Sequence, residues 1–267
     1  MDSKIIKALI ILFFFTNLQA AEFKGSFKQG SFILGKTEPG SKVTIDDKKI
    51  KVTEDGYFVF GLDRDRKNNI IIKTYNKGKQ KTFEKVVYKR KYKIQKIDGL
   101  PEKKVTPPKE VYERIKRENR LIGNARSIES DLTFFTKKFI SPLDKAIVTG
   151  VYGSQRILNG KPKWPHYGID FAAKEGTKIK AMLDGTATMV EPDLFYTGGT
   201  LIFDHGHGIS TLYMHMKDIY VKKGQKIKQG DIIGTVGSTG RSTGPHLDVR
   251  LNWFDVRLDP ATVLNTK

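Results

Sequence analysis

The chain has 267 residues, with 48 Lys and Arg against 29 Asp and Glu, for a net charge of +19. Hydrophobic residues at 38% and charged residues at 29% exclude a disordered tail or a collagen-like fibre. The absence of cysteine excludes disulfides, thiolate nucleophiles, Cys-based zinc fingers and iron–sulfur clusters.

Residues 1–20 read as a secretory signal peptide. Lys4 and Lys7 give a positive start, Ala8 to Phe15 is an apolar run, and Thr16 to Ala20 is a polar end with a small residue at the expected cleavage point. The other reading of this run is an uncleaved N-terminal anchor. Export across the inner membrane, to the periplasm or cell envelope, is the expectation. No cysteine follows to carry a lipid anchor, and no second apolar run of membrane-spanning length occurs, so no transmembrane segment is expected after cleavage. In an exported protein the positive charge favours acidic wall polymers or anionic membrane surfaces. No basic recognition helix or aromatic RNA-binding motif appears, so nucleic acid is not an expected partner.

Residues 21–98 alternate short Phe/Ile/Val/Tyr-rich runs with turn signals such as Pro39-Gly40, Asp46-Asp47 and Asp55-Gly56. They predict a small antiparallel β-sandwich, an accessory domain. Its last strand is expected to be long, with Val86, Tyr88, Tyr92 and Ile94 on the inner face. Residues 99–135 form a linker with one helix, from about Pro108 to Arg126, with Thr106 as its cap. Residues 136–267 are again β-rich and glycine-punctuated, and predict a second β domain, so the fold class is mainly β.

All five histidines fall in this second domain. His166-Tyr-Gly-Ile-Asp170 places an imidazole and a carboxylate four residues apart, with Gly168 expected to bend the backbone. Nitrogen and oxygen donors of this kind suit Zn²⁺. His246, Asp248 and Arg250 share one face of a predicted strand whose other face is Leu247, Val249 and Leu251. Tyr213-Met-His215 ends another strand. His205 and His207 read as turn residues, and Arg156 and Asn159 sit in a polar stretch that is a candidate substrate groove.

The order H-x-x-x-D, Y-x-H, T-G-x-x-T-G-P-H-L resembles the lysostaphin-like (LytM-type) zinc metalloendopeptidases, over roughly Ile147 to Leu264. The resemblance implies a lysostaphin-like peptidase domain that hydrolyses stem or cross-bridge peptides of bacterial peptidoglycan, with a zinc-bound water as nucleophile. It implies His166 and Asp170 as metal ligands and His215 and His246 as catalytic histidines, His246 taking the water proton and His215 serving the oxyanion or the leaving amine. The family's third ligand is the second His of a His-x-His motif. This chain has Asp248 there, so the third ligand expected is a carboxylate and the site is harder in character. Asn159 is carried as a substrate-binding candidate. A second reading follows from Asp248: a catalytically degenerate protein on the same fold that binds peptidoglycan or activates a partner hydrolase. A third, a lipoyl-type carrier barrel suggested by Val221 to Gly237, lacks the modified-lysine tip such carriers need.

Overall fold

The computed structural model describes residues 21–145 and 147–264; the expected signal peptide lies outside the described residues. The short apolar runs before Lys85 make two antiparallel sheets. One has three strands, Glu22–Lys24, Phe32–Lys36 and Tyr57–Gly61. The other has four, Lys48–Ile50, Lys42–Ile45, Ile70–Asn76 and Lys79–Lys85. Ile33, Phe58, Phe60, Ile70 and Ile72 are buried together in the core they share. Asp46 and Asp47 both take positive φ at the predicted tight turn, the geometry a two-residue hairpin needs.

The long strand expected through Ile94 is not continuous. Pairing with Ile70–Asn76 stops at Lys85, and Tyr88 makes one isolated parallel bridge to Lys28. Val86, Tyr88 and Ile94 are exposed, and Val87 is buried in their place. The chain here leaves its sheet and crosses to the second half of the molecule. Arg90 pairs with Asp259 at 2.7 Å, and Tyr92 packs under the Arg64 guanidinium and against Tyr152. Ile94–Ile97 then joins Gln155–Leu158 as a parallel neighbour.

The helix spans Tyr112–Arg126 behind a short 3-10 turn, and Thr106 does not cap it; its hydroxyl accepts a hydrogen bond from Lys161 Nζ instead. Ile122 and Ala125 pack on Met189, Leu194, Ile202 and Leu212. Glu118, buried on the same helix, accepts hydrogen bonds from Arg114 and from the backbone N–H of Phe195. Among the described residues no helix is long and apolar enough to cross a membrane.

The second half is built on a ten-stranded antiparallel sheet. Its central path is Gly185–Leu194, Gly198–Gly206, Ile209–Ile219, His246–Trp253, Ile169–Ala172 and Ile147–Gly150. Leu247, Val249 and Leu251 are fully buried in its core, which leaves His246, Asp248 and Arg250 on the opposite face, as strand alternation requires.

The two halves share a core. Phe32 and Val59 belong to the same buried cluster as Phe139, Leu251 and Leu258. The Leu258 side chain occupies the space a Cβ on Gly61 would need. Leu258→Ala is therefore expected to cost about 2–5 kcal/mol. Because the cavity opens between the halves, they should still unfold in one urea transition at a lower midpoint. Two separated transitions would contradict the shared core.

Candidate metal centre

In the antiparallel pair Ile169–Ala172 and His246–Trp253, Asp170 lies directly opposite Asp248. Both carboxylates are buried. Like charges in register on one face repel each other, so this pair exists only where cations offset it. Two arginines do so in part. Arg156 Nη2 donates to Asp170 Oδ2 at 3.0 Å, and Arg250 Nη2 donates to Asp248 Oδ2 at 3.1 Å.

His166 completes the cluster. Its Nε2 stands 3.0 Å from Asp170 Oδ1 and 3.3 Å from Asp248 Oδ2. Neither approach meets hydrogen-bond geometry, so both ring nitrogens and Asp170 Oδ1 are buried without a hydrogen-bond partner. Burial alone would push the His166 pKa down; the facing carboxylates, Asp248 foremost, outweigh it and raise it above the ordinary histidine value. Burial likewise works against ionised Asp248, yet Arg250 and His166 hold its carboxyl well below the usual carboxylate range. One donor atom from each of His166, Asp170 and Asp248 lies within 4.8 Å of the other two. Three unpartnered or half-partnered donors converging on one point, with an excess of carboxylate, fit a divalent cation.

Two glycines make the room. A Cβ at Gly168 would overlap Asp248 Oδ1, and one at Gly150 would overlap Asp170 Oδ2. Gly168 was expected to bend the backbone; its φ is ordinary, and what it supplies is space beside the carboxylate.

His215 reaches the site through an irregularity. Leu201 pairs with Tyr213 but Gly199 pairs with Met216, so one extra residue is accommodated between them. His215 sits in that slip with φ of 62°, left-handed backbone that few residues other than glycine adopt. Its Nδ1 bonds the carbonyl of Thr239 at 2.8 Å, and its ring lies 4.7 Å from that of His246, centroid to centroid. Burial, with the neighbouring His246, pushes the His215 pKa down to about 4. His246 Nδ1 bonds the carbonyl of Gly244 at 2.8 Å. Both rings, with Arg156, Asp170 and Arg241, line one cleft of about 310 Å³.

The remaining sequence candidates fall elsewhere. Asn159 spends its amide on the backbone of Leu100, accepting from its N–H and donating to its carbonyl. It pins the linker, and it does not line the cleft. His207 is in a turn at positive φ, but His205 is not a turn residue. It ends the Gly198–Gly206 strand, fully buried, between the Asp184 carbonyl and the Thr211 hydroxyl. Burial lowers its pKa to about 4. An unfolded histidine titrates near 6.5, so between about pH 6.5 and 4 the unfolded chain binds the extra proton and stability falls with pH. At pH 4.5 that loss is about 2–3 kcal/mol. The urea midpoint of His205→Gln should fall less steeply from pH 7 to 4.5 than that of the wild type. Parallel slopes would count against the assignment.

From the sequence Arg156 reads as part of a candidate substrate groove, and neither arginine is expected to pair with a carboxylate; both do. Arg250 was visible two residues beyond Asp248 on the same strand face. Arg156 had no such signal, because only the tertiary fold brings its strand to Asp170.

The model of peptidase family M23 matches residues 164–260, a span that contains His166, Asp170, His215, His246 and Asp248. Residues 164–260 are a peptidase family M23 domain. Over 87 residues the chain is 44% identical to the peptidoglycan DD-endopeptidase ShyA of Vibrio cholerae, 33% of this chain and 20% of that protein. Over 89 residues it is 43% identical to the DD-carboxypeptidase/endopeptidase Mpg of Neisseria meningitidis, again 33% of this chain and 20% of the other. The match thus spans about a fifth of the length of these curated relatives. A Pseudomonas aeruginosa M23-peptidase crystal structure superposes on 89% of this chain and 95% of its own, with a TM-score of 0.69 and 25% identity. That superposition runs well outside the M23 domain, into the N-terminal sheets.

Proposed function

We propose that this chain is a zinc-dependent endopeptidase of bacterial peptidoglycan, exported across the inner membrane and acting in the periplasm or cell envelope. The observation that carries this reading is the convergence of His166, Asp170 and Asp248 on one point, with His215 and His246 beside them in one cleft. The names of the M23 relatives support the substrate class.

His166, Asp170 and Asp248 would hold the ion. Bound there, Zn²⁺ would supply Lewis acidity and an acidified water. Everything else falls to the chain. Arg156 fixes Asp170 through Oδ2 and leaves Oδ1 toward His166, whereas Arg250 shares Asp248 Oδ2, the oxygen that faces His166; together they offset the second negative charge that Asp248 brings. Carbonyl oxygens only accept, so His215 and His246 each carry the ring proton on Nδ1, toward Thr239 and Gly244. The ring nitrogen left to accept a proton or a hydrogen bond is therefore Nε2 in each. His246 is the general base: it takes a proton from the attacking water and returns it to the leaving amine. Neutral His215 has no Nε2 proton to offer an oxyanion. It accepts a hydrogen bond from the water and orients it.

The test is metal analysis of the purified chain from Ala21 onward, with mass spectrometry of muropeptides after incubation with isolated peptidoglycan. About one zinc per chain and new peptide termini are expected. Metal without cleavage would favour the degenerate, wall-binding reading that Asp248 first raised.

A further inference from the structure

Arg156 lines the cleft and Arg250 holds Asp248 at the metal cluster; of the three guanidinium groups here, counting Arg241, only two have an acid. Arg156 is spent on Asp170 and Arg250 on Asp248. Arg241 also lines the cleft, yet among the described residues no carboxylate lies within ion-pair distance of it. Its place is nonetheless built. The guanidinium lies over the Tyr196 ring at 4.4 Å, its own backbone N–H donates to the Tyr196 carbonyl, and Nη1 donates to the carbonyl of Lys104 at 3.3 Å. That long contact is the one side-chain hydrogen bond it makes among the described residues, so most of its five N–H groups are uncommitted.

This is a costly arrangement. A half-buried cation beside two further guanidiniums loses hydration and is repelled, and burial with those neighbours lowers its pKa to about 10, still charged at neutral pH. A planar fork fixed by a ring, with free N–H groups beside a peptidase site, matches a carboxylate.

We propose that Arg241 is the carboxylate-binding residue of this cleft, so that the preferred substrate is a stem peptide with a free, unamidated carboxylate next to the bond that is cut. This rests on the peptidase reading above. Two carboxylates of a cross-linked stem peptide are candidates by chemistry: the terminal carboxylate and the one on the cross-linking residue. The linker takes part as well, since Lys104 supplies the carbonyl that aims Arg241, and Leu100 with Leu158 gives the cleft an apolar wall. Specificity is thus built partly by residues outside the M23 domain.

The experiment uses three synthetic cross-linked stem peptides: one with both carboxylates free, one amidated at the terminus, and one amidated at the cross-linking residue. They are compared on the zinc-loaded chain and on Arg241→Gln and Arg241→Lys. Wild type should favour the free acid over one of the two amides by about 10- to 100-fold in kcat/KM, as expected for a charge-assisted pair. The amide that is discriminated against identifies the carboxylate. Arg241→Gln should abolish the preference, and Arg241→Lys, which keeps the charge without the fork, should keep part of it. A residue serving only to hold Lys104 and Tyr196 would lower all three rates together and leave the ratio intact, which would overturn the proposal. So would a wild type indifferent to amidation. Fluorescence anisotropy with the same labelled peptides separates the two readings. Discriminating binding without any cleavage would overturn hydrolysis and leave the subsite standing, whereas equal or absent binding of acid and amides would overturn the subsite.

Discussion

Asp248→Ala should strip the ion from the chain and with it the activity. Removing the partner of a metal ligand costs about 10–100-fold in metal affinity, and removing the ligand itself should cost more. The geometry sharpens the expectation. Asp248 is one of three donors around a single point, and its Oδ2 is also the acceptor for Arg250. Truncation therefore deletes a donor and leaves a guanidinium beside the site without its acid. Asp248→Asn isolates the charge: it keeps the shape, loses the negative charge, and should bind zinc more weakly than wild type but better than the alanine variant. The informative substitution is Asp248→His, which introduces the nitrogen ligand common in the resembling family. On this scaffold it should not improve binding, because Arg250 would then face a neutral ring and a cation. Asp248→His with Arg250→Gln should bind zinc more tightly than Asp248→His alone. Competition titration against a chromogenic chelator reads all of these without any substrate. If Asp248→His outperforms wild type with Arg250 intact, the pairing of Asp248 with Arg250 is not what makes the carboxylate ligand workable.

The local pattern carried much of this site. His246, Asp248 and Arg250 against Leu247, Val249 and Leu251 is a period of two, and a strand has no freedom to break it. What the pattern lacked was register. That Asp170 faces Asp248 is a property of two strands about 75 residues apart in sequence, and nothing in either run states it. The same holds for Arg156, and for the linker strand Ile94–Ile97 beside it. Periodicity also misled where the chain changed sheets. Val86, Tyr88 and Ile94 alternate like a buried face, but burial follows the partner and not the pattern, and after Lys85 the partner Ile70–Asn76 is gone. His205 shows the opposite error. Its Asp-His-Gly-His-Gly setting reads as a turn, yet the strand extends to Gly206 and buries the ring, with the turn one residue later at His207.

His246→Ala should leave the ion in place and still reduce kcat by about 10²–10⁴-fold, the range a general base contributes. His246 is not one of the three converging donors, so its loss is a loss of proton transfer. His215 needs a different substitution. At φ of 62° alanine is strained, and a fall in activity could then report a shifted strand. Asparagine tolerates left-handed backbone and cannot act as a base near neutral pH, so His215→Asn tests the ring itself. If His215 orients the same water from which His246 takes its proton, the two losses are not independent. The double variant should then be little worse than the worse single, whereas separate roles would multiply. Zinc content measured on every variant ties each loss to its cause: full metal with low kcat marks the histidines as the proton and water machinery, and metal lost with either histidine would move that residue among the ligands.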